Sequence, residues 1–340
     1  MAMTRRWLRP LALLGLAGAL LGACSRAQVD LRSGAGEFGG TPRRAGFDTV
    51  LVFLPNTPRV RPVWTSLTDE LSEEFDVEAV EIAPSSRPDV VAAAIARHSP
   101  RCVVLLDNTT TALYARYQAS AGPGGYPPAV ILLTSFVDLY SEVEDAVGIA
   151  YEVPLVTSAS NLRTFISRPI ERVGVVHRSA FAGHVKHQAA LARVEKLELV
   201  ATAVPDDATP RELAAALSSL LGSNVDALWV LNDNALLTPE HIRLGWLPLL
   251  AKDAVPTIVG IPSLVTRDVA FGTFAVVPDL SALGVQAANV IYDLKDNDFV
   301  LEAGRIDQPL SVETVIDVER ARVDFGFKEE MREEAGAVSR

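Results

Sequence analysis

The chain has 340 residues, 49% hydrophobic and 21% charged, with a formal charge of −11; this is ordinary globular composition, too long for one small core and about right for two compact lobes. The acidic balance disfavours nucleic acid and anionic lipid surfaces, which are held by clustered Lys and Arg. With Cys24 and Cys102 as its only cysteines, the sequence excludes a disulfide framework.

At the N-terminus, Arg5, Arg6 and Arg9 precede a run from Leu11 to Ala23 made only of Leu, Ala and Gly. The run has the length of a secretory signal core and falls short of the roughly 20 residues that span a bilayer. Residues 1–23 are therefore expected to be an export signal, whose removal leaves 28 basic residues against 42 acidic, a formal charge of −14. The signal ends in Leu21-Gly22-Ala23-Cys24, which resembles the bacterial lipobox and implies lipidation at Cys24. Residues 24–46, rich in Gly, Ala, Arg and Ser, are expected to form a flexible tether. Within it, Gly34-Ala35-Gly36-Glu37-Phe38-Gly39 matches the dinucleotide fingerprint literally. No strand precedes it to aim a helix N-terminus at a pyrophosphate, so no cofactor is expected.

A first series of alternating elements follows. Thr49 to Leu54 reads as a strand with Pro55-Asn56-Thr57-Pro58 as its tip, Val63 to Phe75 as a helix, Val77 to Ile82 as a strand and Asp89 to His98 as a helix. Cys102 to Leu106 is a short buried strand ending at Asp107-Asn108-Thr109-Thr110, in which Cys102 serves packing. After a helix over Thr111 to Ala119 and a glycine turn at residues 122–125, Ala129 to Leu133 is a strand ending at Thr134-Ser135, and Val147 to Tyr151 closes the series. Such alternation predicts a parallel sheet with right-handed crossovers.

The second series has a helix over Leu162 to Ile166, a strand over Val173 to Val176 ending at His177-Arg178-Ser179, and a helix over Gly183 to Val194. Leu197 to Val204 is a strand, and Thr209-Pro210 opens a helix over Arg211 to Leu221. Val225 to Leu231 is a nearly unbroken apolar strand ended by Asn232, Asp233 and Asn234, with a helix over Leu236 to Leu250. Strands at Pro256 to Gly260 and Phe271 to Val277, a helix over Asp279 to Leu294, a strand and helix over Ser311 to Phe327, and a charged tail complete the chain. The expected fold is α/β, two doubly wound lobes with parallel sheets. The first lobe takes 47–153 with 279–308 and the second 154–278 with 309–330, leaving 331–340 as the tail. Hinges are expected near Val153-Pro154, Val277-Pro278 and Ile306 to Leu310.

In doubly wound sheets ligands sit at the carboxyl edge. The candidate binding residues are therefore Asn56, Thr57, Asp107, Asn108, Thr109, Thr134, Ser135, His177, Arg178, Ser179, Asn232, Asp233, Asn234 and Asp279. Carboxylates of Asp107, Asp233 and Asp279 sharing one cleft would repel unless a cation joins them. A ligand ammonium does so, and Arg178 could take a ligand carboxylate in bidentate fashion, so an amino acid or related amine is expected. The competing role for Asp233 is to cap the helix that follows. His184 and His187 share a helix face near His177, but no Cys or acid close in sequence completes a shell, so no metal is expected. There is no nucleophile elbow, P-loop or HExxH, which argues against an enzyme.

Several segments carry a family resemblance: Ile170-Glu171-Arg172-Val173-Gly174-Val175-Val176, Val225-Asp226-Ala227-Leu228-Trp229-Val230 running into Asp233-Asn234, and Val255-Pro256 leading a strand. Gly272, Leu283-Gly284-Val285-Gln286-Ala287-Ala288 and Val315 to Phe327 continue the series. In order and spacing, over about residues 48–330, these resemble the substrate-binding proteins of a bacterial ABC-importer family whose members include receptors for aromatic amino acids. The resemblance implies a type I periplasmic-binding-protein fold and a small molecule captured between lobes for delivery to ABC permease and ATPase subunits. It also implies an extracytoplasmic, monomeric protein on the periplasmic face, anchored to the membrane by lipid at Cys24. A ligand-sensing lipoprotein that signals to a membrane partner without transport has the same features. The first-lobe tips and Asp317, where many members carry Asn, depart from the family pattern and leave the ligand open.

Overall fold

A computed structural model describes residues 38–333 apart from 42, 123, 140–141, 253–254, 267–270 and 302–303. The expected signal segment 1–23, Cys24, the tether before Phe38 and the tail beyond Glu333 lie outside the described residues. No helix among the described residues is long and apolar enough to cross a membrane.

Runs of Val, Leu and Ile suit strands covered on both faces, and the chain places them mid-sheet. In chain order the strands are β1 (Asp48–Leu54), β2 (Phe75–Glu81), β3 (Cys102–Leu106), β4 (Ala129–Leu132), β5 (Ala146–Ile149), β6 (Arg172–Arg178), β7 (Glu198–Val204), β8 (Ala227–Val230), β9 (Thr257–Val259), β10 (Phe274–Pro278), β11 (Ile306–Asp307) and β12 (Val312–Ile316). One six-stranded sheet has the order β11-β5-β4-β3-β1-β2 and is parallel throughout. The other has the order β12-β10-β9-β8-β6-β7, parallel except for β12, which runs antiparallel to β10.

The period of two along each strand sorts side chains to the two faces. Val50, Val52 and Leu54 of β1 meet Val63 and Leu67 of the helix Arg61–Leu71 and Leu283 and Ile291 of the helix Leu280–Asp296. Leu51 and Phe53 point the other way, onto the helices Pro88–His98 and Asn108–Ala121. In the second sheet Val173, Val175 and Trp229 face the helices Leu155–Phe165 and Ala182–Val194. Leu228 and Val230 face the helix Pro210–Leu221 and Trp246. The chain passes between the sheets three times: after β5, between β10 and the helix Leu280–Asp296, and between β11 and β12. Gly284 lets the helix Leu280–Asp296 press onto Arg61–Leu71, since an added Cβ would collide with the Val63 carbonyl and the Ser66 hydroxyl.

Three stretches differ from the sequence expectation, each for a local reason. The segment before Gly46, expected to be flexible, is packed from Phe38 onward. Phe38 is buried edge-on to Trp64 with ring centroids 6.1 Å apart, and Thr41 exchanges bonds with Val77, its N–H donating at 2.9 Å and its hydroxyl accepting at 2.7 Å. Arg44 donates from its backbone and Nε to the buried Asp76 carboxylate at 2.8 and 3.2 Å. These contacts cover β2, an edge strand whose free backbone groups need a partner. Next, the helix expected over 162–166 begins at Leu155, because Leu155, Ala159, Leu162 and Phe165 share a buried face that outweighs the turn-prone Thr157-Ser158 and Ser160-Asn161. Finally, helical turns start at Pro239 rather than Leu236: Thr238 caps them by accepting from the His241 N–H at 3.2 Å, and residues 233–237 form a separate turn.

Candidate functional site

Strand order reverses at β1/β3 in the first sheet and at β6/β8 in the second, and a doubly wound sheet opens its crevice there. At the second reversal Arg178, ending β6, meets Asp233, following β8. Nε lies 2.6 Å from Oδ2 and Nη2 lies 2.8 Å from Oδ1, a bidentate pair with Asp233 only 3% exposed. Oδ1 also accepts the Ala235 N–H at 3.0 Å, and the Asp233 carbonyl accepts from Leu236 and Leu237. Asp233 thus holds together the turn 233–237, and its carboxylate keeps the Arg178 guanidinium protonated above its ordinary range. An ammonium at Asp233 or a carboxylate at Arg178 would each have to displace the partner already there. Nearby, Ser179 Oγ donates to the Val204 carbonyl at 3.2 Å. Buried His177 has Nδ1 2.8 Å from the Arg178 carbonyl, which puts the proton on Nδ1. Asn234 is exposed.

The first-sheet tips are held by local bonds. Asp107 has φ 132° and ψ 173°, strained for a residue other than glycine, and accepts the Thr110 N–H at 2.8 Å as cap of its helix. Burial lifts its carboxyl above the usual range against the opposing bonds from Thr110 and Thr109. Asn108 bonds both backbone groups of Ser135, at 3.3 and 3.2 Å. Thr134 is buried against Thr111, with hydroxyl oxygens 2.8 Å apart. Asn56 donates to Glu81 at 3.1 Å on the surface, where Thr57 also lies. Asp279 accepts from Ser281 and Ala282 at 2.9 and 3.1 Å and caps the helix Leu280–Asp296. The three expected acids therefore serve as two helix caps and one ion pair.

Between the two sets of tips runs the first crossover. Its Glu152 accepts the Phe136 N–H on Oε2 at 2.7 Å. Glu152 Oε1 and His184 Nε2 are buried and, among the described residues, have no hydrogen-bond partner. Burial pushes the Glu152 carboxyl from 4.5 up to about 7, opposed by the Phe136 N–H. Phe136 leaves the first sheet at φ 53° to place its ring 4.4 Å from Phe181 and 5.1 Å from His184, within the core of the second lobe. His184 in turn lies 6.0 Å from Trp229, ring to ring, with Nδ1 3.9 Å from an Asp138 oxygen. The Tyr151 ring lies under the Arg59 guanidinium at 4.7 Å, and its hydroxyl donates to the Gly260 carbonyl at 3.4 Å. Gly260 is needed there because an added Cβ would collide with the Asn232 amide.

A cavity of about 20 Å³, lined by Tyr151, Glu152, Trp229, Asn232 and Gly260 among others, lies at this meeting point; it has room for about one water-sized group. A larger hollow of about 520 Å³ by Arg116, Tyr126 and Glu142 sits at the far end of the helix Asn108–Ala121, away from the tips. Sequence reasoning did not single out Glu152, and it weighed His184 only for a metal. The signal for Glu152 was present: it is the only charged residue from Ala146 to Val156. Cys102 is fully buried, and its thiol is pushed up to about 12, consistent with packing.

No protein-family model and no curated protein sequence matches the chain. Solved structures do. An ABC domain from Streptococcus pneumonia in complex with L-Trp is 18% identical, with 85% of this chain and 99% of that chain covered and a TM-score of 0.50. A conserved domain protein from Vibrio cholerae is 15% identical, over 85% and 98%, with a TM-score of 0.52. A substrate-binding protein with adhesive properties from Clostridium difficile, in its ligand-free, open form, is 14% identical, over 81% and 94%, with a TM-score of 0.56. At these identities the likeness is one of fold. With two doubly wound six-stranded sheets, three crossings between them and these neighbours, the chain has the type I periplasmic-binding-protein fold.

Proposed function

We propose that this protein is an extracytoplasmic solute-binding protein that captures a small molecule, an amino acid or related amine, between its two lobes and delivers it to an ABC importer. The observation that carries the reading is the small cavity where the first crossover between the sheets, at Tyr151 and Glu152, meets the β8 and β9 tips of the second sheet at Asn232 and Gly260. A cavity of about 20 Å³ does not admit an amino acid, so capture requires the lobes to part. The three crossings are the hinges, at 149–155, 278–280 and 307–312. A thermal-shift screen of the full chain against amino acids, amines, sugars, nucleosides and small acids tests the function. A true solute at 100 times its dissociation constant adds about 2.7 kcal/mol to stability. With that solute, small-angle scattering is expected to give a smaller radius of gyration than without it. No stabilising compound in any class, or an unchanged radius, counts against the reading.

The same reading places the protein at the membrane through a lipid on Cys24, supported by Leu21-Gly22-Ala23-Cys24 after an apolar run. Several acyl chains at about 0.8 kcal/mol per buried methylene hold a domain firmly at a bilayer. Cys24→Ala is expected to move the protein from the detergent phase to the aqueous phase in a partition of cell extracts; unchanged partition would rule out the anchor.

A further inference from the structure

One buried side chain crosses from lobe to lobe. Among the described residues, Phe136 is the only apolar side chain of the segment 48–149 in the core that Phe165, Phe181, Val185 and Trp229 help to build in the second lobe. The connection from β4 to β5 that carries it is anchored in the first lobe on both sides. Leu133 is buried on one face of the first sheet and Val137 on the other, where Val137 fits so closely that a Cβ added at Gly148 would stand 2.7 Å from it. Between them Thr134 shares a hydrogen bond with Thr111, and Asn108 bonds both backbone groups of Ser135. Phe136 therefore stands out from a braced base, with its ring buried 4.4 Å from Phe181 and 5.1 Å from His184. Leu133 and Phe136 both hold left-handed backbone, at φ 54° and 53°. Bulky residues keep that conformation only where their surroundings fix it, and such positions gather at clamps and switches.

We propose that Phe136 is the latch between the lobes: parting them withdraws its ring from the second-lobe core, and its seating there sets the share of molecules in the closed form. The inference rests on the solute-binding reading for the need to open, and it names the side chain that opposes opening. A base held by Leu133, Val137 and Asn108 moves with the first lobe. Hinge rotation at the crossings therefore pulls the ring out instead of leaving the loop behind. The polar contacts beside it are long, with the Tyr151 hydroxyl 3.4 Å from the Gly260 carbonyl and His184 Nδ1 3.9 Å from an Asp138 oxygen, so they hold the lobes less firmly. Burying a phenylalanine side chain shifts an equilibrium by about ten- to a hundredfold. Loss of the ring is accordingly expected to lower the ratio of closed to open molecules by about tenfold or more.

The test is small-angle scattering of the full chain with no solute added, comparing wild type with Phe136→Ala and Val137→Ala. Both variants remove buried apolar atoms at neighbouring positions, and far-UV circular dichroism establishes that each is folded. Phe136→Ala is expected to raise the radius of gyration above that of wild type. Val137→Ala, which empties space inside the first lobe alone, is expected to leave it unchanged. Phe136→Leu keeps a buried apolar group and is expected to give a smaller rise in the same direction; it takes the place of the alanine variant if that one does not fold. Equal radii for wild type and the Phe136 variants, or an equal rise in Val137→Ala, overturns the latch. Solute capture is decided separately, by the stability screen on the wild-type chain, so the latch can fail while that reading stands.

Discussion

Replacing Arg178 by methionine is expected to lower the unfolding free energy by about 3–5 kcal/mol, the usual range for removing one partner of a buried ion pair. Methionine keeps the stem that packs by Phe181, whose ring centre is 5.1 Å from the guanidinium, so the loss isolates the charge. Asp233 is left 3% exposed with only the Ala235 N–H on its carboxylate, a buried group without its counter-ion. The pair also ties β6 to the tip of β8, so its loss loosens the turn 233–237. Asp233→Asn in the Arg178→Met background should recover part of the stability, because the uncompensated charge is gone. Chemical denaturation measures both. A loss under about 1 kcal/mol for Arg178→Met would mean that the pair behaves as a surface salt bridge.

The opposite sign is expected at Glu152. Its carboxyl has a folded value of about 7 against an ordinary 4.5. Between those values the native state holds a proton that the unfolded state has released, so stability falls as pH rises from about 4.5 to 7 and stays lowered above. At 1.36 kcal/mol per pH unit the total is about 3 kcal/mol, a large share of a typical domain's stability. Burial alone lifts it, opposed by the Phe136 N–H, its own backbone, the His184 imidazole and the Asn232 side chain. Glu152→Gln keeps an acceptor for the Phe136 N–H and cannot ionise. It should be more stable than wild type by about 2–3 kcal/mol at pH 8, equal near pH 4, and show a flatter pH profile between. A variant less stable than wild type at pH 8 would show that the site pairs the charge in the folded protein.

The α/β fold with two doubly wound sheets was legible in the sequence because strand burial is written locally. Val50 to Leu54, Cys102 to Leu106 and Ala227 to Val230 are apolar on both faces, which only mid-sheet positions accept. The capping box at Thr209 and Glu212 was equally local. The candidate site was legible only as a set of tips. Arg178 and Asp233 are 55 positions apart, and their pairing depends on the register of β6 beside β8, so the sequence could not say that each neutralises the other. Phe136 directly follows the first-lobe tip Thr134-Ser135 in sequence, yet it packs in the core of the second lobe because a left-handed turn at φ 53° sends it there. Glu152 sits in Tyr151-Glu152-Val153-Pro154, which by sequence could face water. It is buried because the crossover runs between two sets of strand tips, and burial by segments remote in the chain is a property of the tertiary structure alone.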